Sequence, residues 1–331
     1  MKIIADSAIP FLRGVLEPYA EVVYLAGNKI TADEVFNADA LIIRTRTRCN
    51  QALLLGSSVR IIITATIGVD HIDRTWCSAH NIRVMAAAGC NSRGVLQWVA
   101  AVLRQLTLRM DKQPSELTLG VVGVGHVGSL VSQYAEAWGF RVLCCDPPRE
   151  AREHVGFLPL AEVAAQADIL TFHTPLDTTT NHMVDDALLA RMKPDAILVN
   201  SSRGEVVDGD ALLRSGHPYV LDVWEHEPDL NPALLAGALF ATPHIAGYSA
   251  QGKANATAMS IHVLSNLFGL SLSDWYPAEV KPVKPQPISW KRLCATIRSH
   301  FDLVVQSEAL KAAPADFESM RDNYRYREEY F

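Results

Sequence analysis

Arg203, Glu227 and His244 each follow a short apolar run, in the phrases VNSSRGEVVD, LDVWEHEP and TPHIAGYS. A guanidinium, a carboxylate and an imidazole are what removing a proton from an alcohol beside a carboxylate requires. The planar fork of Arg203 matches a carboxylate through two hydrogen bonds, which a lysine does not reproduce. His244 accepts a proton near neutral pH, and Glu227 orients its ring and stabilises the imidazolium that forms. Each residue also has a plain reading. Arg203 can be a loop cation, Glu227 one of a solvated group with Glu225, His226 and Asp229, and His244 a core imidazole after Pro243. What favours chemistry is their order along the chain, because they follow a nucleotide-binding pattern.

That pattern is GVVGVGHVGS at 120–129, with Gly123, Gly125 and Gly128 between the apolar run Leu117–Val122 and a helix-like stretch. The first glycine permits a tight turn, the second lets backbone approach a pyrophosphate, and the third allows a helix to lie close against a strand. The helix amino terminus then offers unpaired N–H groups and partial positive charge to phosphate. A lone glycine-rich bend is weak evidence. Asp146 strengthens it, standing 18 positions after Gly128 at the end of RVLCCD, where a carboxylate accepts ribose hydroxyls and repels a 2′-phosphate. The expected cofactor is NAD rather than NADP, with Arg149 as the one contrary residue.

These residues need strands to hold them. Short β-prone runs (KIIAD, EVVYL, ALIIR, VRIIIT, IRVMA) occupy the first ninety residues, and a second series (LTLGVVG, RVLCCD, DILTFH, AILVNS, YVLDVW, ALFATP) begins at Leu117. Helical or loop segments alternate with both, which predicts an α/β chain with two doubly wound parallel sheets of the Rossmann or flavodoxin kind. Apolar residues at helical spacing from Gly94 to Met110 predict a long linking helix, and Ser249–Leu270 predicts another. Four prolines between Asp274 and Pro287 mark a linker. The 44 residues beyond it are too few for a core of their own and must pack elsewhere.

Composition excludes several classes. The chain of 331 residues is 49% hydrophobic and 20% charged, as in ordinary globular proteins. Its net charge of −6 argues against a nucleic-acid surface. No apolar run approaches membrane-spanning length, and MKIIADSAIP lacks signal-peptide character, so the expectation is a cytoplasmic protein with no membrane partner. The six cysteines form no C-x-x-C pair and read as reduced thiols, and the eleven histidines show no ligand spacing, so no metal is expected.

The phrases GVVGVGHVG, CDPPR, DILTFHTPL, NSSRGEVVDGDAL, LDVWEHEP and TPHIAGYS resemble the D-isomer-specific 2-hydroxyacid dehydrogenases over roughly residues 1–270. The shorter segments DHID, AAAGCN, CDPPR and HIAGYS resemble one subfamily that acts on a small phosphorylated 2-hydroxy acid. The resemblance implies that Arg203 binds substrate and aids catalysis, Glu227 is the acid partner, and His244 is the proton donor and acceptor. It implies cofactor roles for His126, Val127, Asp146, Thr174, Ser201, Ser202, Arg203, Asp222 and Gly247, and substrate roles for Thr45, Thr66 and Tyr248. It also implies an active-site cleft between two domains and a homodimer. The expected organisation is a substrate domain at 1–93 completed by 255–275, an NAD-binding domain at 94–254, and a linker with a shortened C-terminal dimerisation region at 276–331.

Several positions depart from the family pattern: Ala88 stands where proline is usual, Gln97 where an acid is frequent, and Thr45 where the subfamily has serine. In ALIIRTRTRCN, Arg44, Arg46 and Arg48 alternate with Thr45 and Thr47; if extended, they share a face suited to a dianionic phosphate. On this reading Arg44 joins Thr45 and Thr66 in seating the substrate's phosphate or carboxylate, against the plain reading of a solvated strand end. Two other functions keep the same residues: a dehydrogenase for another phospho-hydroxy acid such as 3-phosphoglycerate, and a non-catalytic NAD sensor.

Overall fold

The structure, a computed structural model, describes residues 1–154 and 156–331. The chain forms two compact units, one of residues 1–91 with 250–282, the other of 92–249 with 283–331.

The first unit carries a five-stranded parallel sheet in the order β2-β1-β3-β4-β5. Its strands are β1 (Lys2–Asp6), β2 (Glu21–Leu25), β3 (Ala40–Ile43), β4 (Ile61–Thr64) and β5 (Arg83–Ala86). Strand residues alternate between faces, and here both faces are buried. Ile4, Leu41, Ile43 and Ile62 point into one cluster, while Ile3, Ile42, Ile61 and Ile63 meet Ile261 and Leu264 on the other. The latter two lie on the helix Ala250–Phe268, so a segment remote in sequence completes this unit. Thr257 Oγ1 donates to Pro10 O at 2.8 Å and Asn255 Nδ2 to Cys90 O at 2.9 Å, fixing that helix to the unit.

The second unit carries six parallel strands in the order β11-β10-β9-β8-β6-β7. They are β6 (Thr118–Val122), β7 (Arg141–Cys145), β8 (Ile169–Phe172), β9 (Ile197–Asn200), β10 (Tyr219–Leu221) and β11 (Phe240–Ala241). After β6 the chain passes to β7 on one side and then to β8 on the other. The carboxyl ends of β6 and β8 therefore flank the switch point at which such sheets bind ligands. One face is covered by the helices Ser92–Met110 and His126–Trp138, which bury Trp98, Val99, Val102, Leu103, Val131 and Ala135.

Residues 283–331 belong to the core of this second unit. Leu293, Ile297, Phe301 and Phe331 join the cluster around Trp138, and Leu310 and Phe317 enter the cluster on the opposite side of the sheet. Trp138 Nε1 donates to Ile288 O and Tyr134 Oη to Gln286 O, both at 3.0 Å. Each fully buried large apolar side chain contributes about 1.5–3 kcal/mol, so these residues weigh in the stability of the unit. No helix among the described residues is long and apolar enough to cross a membrane.

Candidate active site

The glycines of the fingerprint do three different things. Gly123 has φ +82°, and a Cβ there would lie 2.9 Å from His173 C and O at the end of β8. Gly128 passes so close to Gly123 that a Cβ would sit 2.0 Å from its carbonyl oxygen. Gly125, by contrast, has open space where its Cβ would be. The first two glycines set the close approach of turn, strand and helix, and the third leaves room for a ligand. The first intrahelical bond runs from Ser129 N–H to Gly125 O at 3.0 Å. The amides of His126, Val127 and Gly128 precede it and carry the positive end of a 13-residue helix.

Asp146 begins the helix that follows β7. One carboxylate oxygen accepts from Val124 N–H at 2.8 Å and the other from Arg149 N–H at 2.9 Å. Each oxygen keeps a further lone pair, and the carboxylate ties the glycine turn to the end of β7. Arg149, the contrary signal, donates to Val124 O at 2.7 Å and grips Glu153 with Nε at 2.9 Å and Nη2 at 2.6 Å. Its fork is thus committed to a carboxylate. Thr174 Oγ1 and Ser201 Oγ are buried without a hydrogen-bond partner among the described residues. Two orphaned hydroxyls beyond β8 and β9, with the open space at Gly125, fit a polar dinucleotide laid across these strand ends.

Arg203, Glu227 and His244 lie beyond β9, β10 and β11. Asn200 organises the Arg203 turn: its Oδ1 accepts from Ser202 N–H at 3.0 Å and Ser202 Oγ at 2.7 Å, while its Nδ2 donates to Arg203 O at 2.8 Å. Arg203 Nη1 donates to Ser202 O at 2.7 Å. A Cβ on Gly204 would lie 2.0 Å from Trp224 C, so this glycine admits the backbone that leads to Glu227.

Glu227 is bound at both oxygens. Oε1 accepts from Trp224 N–H at 2.9 Å, and Oε2 meets His244 Nδ1 at 2.8 Å. Burial pushes this carboxyl up, but His244, Arg321 and the Trp224 N–H outweigh it and hold the group below its ordinary value. With a carboxylate accepting at Nδ1, that nitrogen carries the proton and Nε2 presents the lone pair. The peptide bond Glu227–Pro228 is cis.

His244 has φ +55°, a left-handed backbone uncommon outside glycine. Asp222 holds it there. The Asp222 carbonyl accepts from His244 N–H at 2.7 Å, and its carboxylate accepts from Ile245 N–H and Ala246 N–H, both at 2.9 Å, and from Thr242 Oγ1 at 2.5 Å. Burial raises the Asp222 carboxyl against the opposing pull of His244 and these donors. Thr242 is also anchored by two indoles, Trp98 Nε1 to its Oγ1 at 3.0 Å and Trp224 Nε1 to its carbonyl at 3.1 Å. Thr242, Trp98, Trp224 and Asn200 were not singled out from sequence, and no local spacing signals them. Gly247 lies against Gly94, and the Tyr248 ring contacts Tyr324 and Tyr326 edge to face.

The first unit presents the other proposed residues. The chain turns after β3, with Thr47 N–H donating to Arg44 O at 3.4 Å. The extended strand end that would align Arg44, Arg46 and Arg48 is therefore not formed. Thr45 is exposed, Arg44 Nη1 reaches Ala8 O at 3.4 Å, and Thr66 Oγ1 pairs with Thr64 Oγ1 at 2.6 Å beyond β4. Gln97, where the family often has an acid, is fully buried, and neither its amide nitrogen nor its oxygen has a partner among the described residues.

Residues 92–246 match the NAD-binding domain of the D-isomer specific 2-hydroxyacid dehydrogenases. Over 342 residues the chain is 42% identical to an erythronate-4-phosphate dehydrogenase of Bacteroides thetaiotaomicron, covering 99% of this chain and 97% of that one. The chain belongs to this dehydrogenase family. An erythronate-4-phosphate dehydrogenase of Salmonella arizonae is 39% identical over 100% of this chain and 92% of its own. The NAD+-bound 3-phosphoglycerate dehydrogenase of Entamoeba histolytica superposes with TM-score 0.69 at 23% identity, over 82% of this chain and 97% of that one, and shares the fold. The two sheets are thus the two-domain architecture of NAD-dependent oxidoreductases acting on 2-hydroxy acids.

Proposed function

We propose that this chain oxidises 4-phospho-D-erythronate at C2 to (R)-3-hydroxy-2-oxo-4-phosphooxybutanoate, a step toward pyridoxal 5′-phosphate. The observation that carries the proposal is the Glu227–His244 pair at 2.8 Å, beyond the same sheet that carries the glycine fingerprint. In this reading His244 Nε2 takes the C2 hydroxyl proton while Glu227 stabilises the imidazolium. Arg203 holds the substrate carboxylate and the oxygen on which charge develops. NAD, when bound, supplies the hydride acceptor. Gly123, Gly125, Gly128, His126, Val127 and Asp146 hold its diphosphate and ribose, and Thr174, Ser201, Ser202, Asp222 and Gly247 line its path. Arg44, Thr45, Thr66 and Tyr248 are assigned to the substrate. The subfamily match favours this acid over 3-phosphoglycerate and favours turnover over NAD sensing. The same reading makes the protein a cytoplasmic homodimer.

The test is NADH formation with 4-phospho-D-erythronate, 3-phosphoglycerate and D-lactate, with an agent that traps the 2-oxo product. Turnover with the first and about a hundredfold less with the others is expected, since a site built for polar groups strongly rejects analogues lacking them. Equal rates with 3-phosphoglycerate would move the assignment to that acid. Arg44→Ala is expected to raise KM about tenfold on the phosphorylated acid and little on D-lactate, as loss of one charge-assisted contact predicts; an equal loss on both removes Arg44 from phosphate recognition. Light scattering of the purified protein checks the dimer.

A further inference from the structure

The last fifteen residues reach the acid–base loop from a direction that the mechanism above does not use. Arg327 is buried, at 6% exposure; its guanidinium stands over the Phe301 ring, reaches Tyr324 Oη at 3.3 Å and donates to backbone carbonyls of the loop and of the helix beside it. Nη1 donates to Ile245 O at 3.1 Å and Tyr248 O at 3.0 Å; Nη2 donates to Gly94 O at 2.8 Å and to Ala246 O. The N–H groups of Ile245 and Ala246 are meanwhile held by the Asp222 carboxylate. The segment after His244 is therefore clamped between an anion that takes its donors and a cation that takes its acceptors. Glu329 Oε1 adds a bond from Ser249 Oγ at 2.6 Å, and residues 249 and 327 form a parallel bridge.

Six residues earlier, Arg321 stands over the Phe317 ring and brings Nη1 to 3.7 Å from Glu227 Oε2, the oxygen that also holds His244. That separation exceeds a hydrogen bond but leaves attraction between two side chains that are each mostly buried, at 22% and 18% exposure. The charges facing the pair are Arg321 from the helix Phe317–Asp322 and Asp222 from the end of β10.

We infer that Arg321 and Arg327 are positioning residues for the Glu227–His244 pair: Arg321 fixes the ionised carboxylate and Arg327 fixes the backbone that carries the imidazole. A tail that serves only as packing would need its apolar residues, Phe317 and Phe331, and not two guanidinium groups aimed at one loop. The inference rests on the assignment of His244 as the base. With Arg321 removed, the pair holds a proton more firmly, so the rise of oxidation with pH shifts upward.

The experiment compares the full-length protein with Arg321→Gln, Arg321→Lys, Arg327→Lys and His244→Asn. Arg321→Gln is expected to lower kcat about tenfold, leave KM for NAD within about twofold, and move the acid limb of the kcat profile up by about half a pH unit. Arg321→Lys should restore most of kcat and the original limb, since it keeps the charge. Arg327→Lys should speed hydrogen exchange at Ile245 and Ala246 while leaving the amides of β6 and β8 protected. Unchanged kcat and pH limb in Arg321→Gln, or unchanged exchange in Arg327→Lys, overturns the inference for that residue. If His244→Asn retains turnover, the assignment of the base fails first, independently of either arginine.

Discussion

The second unit builds two kinds of site beyond one sheet, and they are made by opposite means. At β6 and β8 the ligand cradle is made by leaving atoms out: glycines at 123 and 128 let backbone pass at distances no side chain allows, and Gly125 leaves open space. At β10 and β11 the acid–base loop is made by putting polar groups in. Asp222, Trp224 and Arg327 satisfy its backbone from several sides, and the Trp98 indole and Thr242 hydroxyl anchor the Asp222 carboxylate in turn. The difference fits the tasks proposed for the two regions. A cofactor that comes and goes needs a preformed surface with unpaired N–H groups, whereas a base must hold one nitrogen in one direction through every turnover. His244 sits at positive φ because that network over-determines it.

The comparison breaks at once if the loop proves dispensable. His244→Asn is expected to lower kcat/KM by about 10³–10⁴-fold, or roughly 4–5.5 kcal/mol of transition-state stabilisation, while NAD binding measured by fluorescence quenching stays within about threefold. A loss of NAD binding equal to the loss of turnover would mean that cradle and loop are one structure. Asp222→Ala should come next in size, with about 3 kcal/mol of stability lost in urea unfolding, because it strands two buried N–H groups and the Thr242 hydroxyl together.

Gly125→Ala sharpens the contrast from the cradle side. Apart from its own chain neighbours, no atom of the described residues lies within 4 Å of the new methyl, so urea stability should change by less than about 0.5 kcal/mol. The methyl would occupy the space assigned to the diphosphate, and the Kd for NAD should rise about tenfold or more, about 1.4 kcal/mol. A stability loss without an affinity loss would instead make Gly125 a folding residue like Gly128.

The same contrast explains what could be read from the chain. The cradle is local: strand, glycines, helix and Asp146 lie within 29 consecutive residues from Thr118, and each has a type and spacing with one physical meaning. All eleven β-prone runs became strands: the central ones are the continuous apolar runs of buried parallel strands, while the edge strands β2, β5 and β7 keep β-branched or apolar residues but are only partly buried. The trio proposed for catalysis, Arg203, Glu227 and His244, was legible as residue types at strand ends. The support around it was not, because its partners are far apart in sequence: Trp98 meets Thr242 across 144 positions, and Arg327 meets Gly94 across 233. A buried arginine that binds carbonyls leaves no periodic trace, and in RDNYRYREEYF it reads as one more surface charge. The Arg44 stretch misled for a different reason. Alternation predicts a shared face only in extended chain, and β3 ends at Ile43 before a turn.

Acid titration provides the smallest and most specific test of the loop. The Glu227 carboxyl lies below its reference value of 4.5 in the folded chain, because His244, Arg321 and the Trp224 N–H outweigh the cost of burial. The folded state therefore binds this proton less readily than the unfolded one, and stability rises with pH across the interval between the two values. The contribution is present in full above the unfolded value and is lost as pH falls through the lowered folded one. Glu227→Gln keeps an acceptor for Trp224 N–H but removes the charge, so it should be less stable than the parent by on the order of 1 kcal/mol at neutral pH. The gap between the two urea midpoints should close as pH drops below the unfolded value. A gap that stays constant with pH would assign the loss to packing. The Gly125→Ala variant should show no such closure, since the substitution removes no ionisable group.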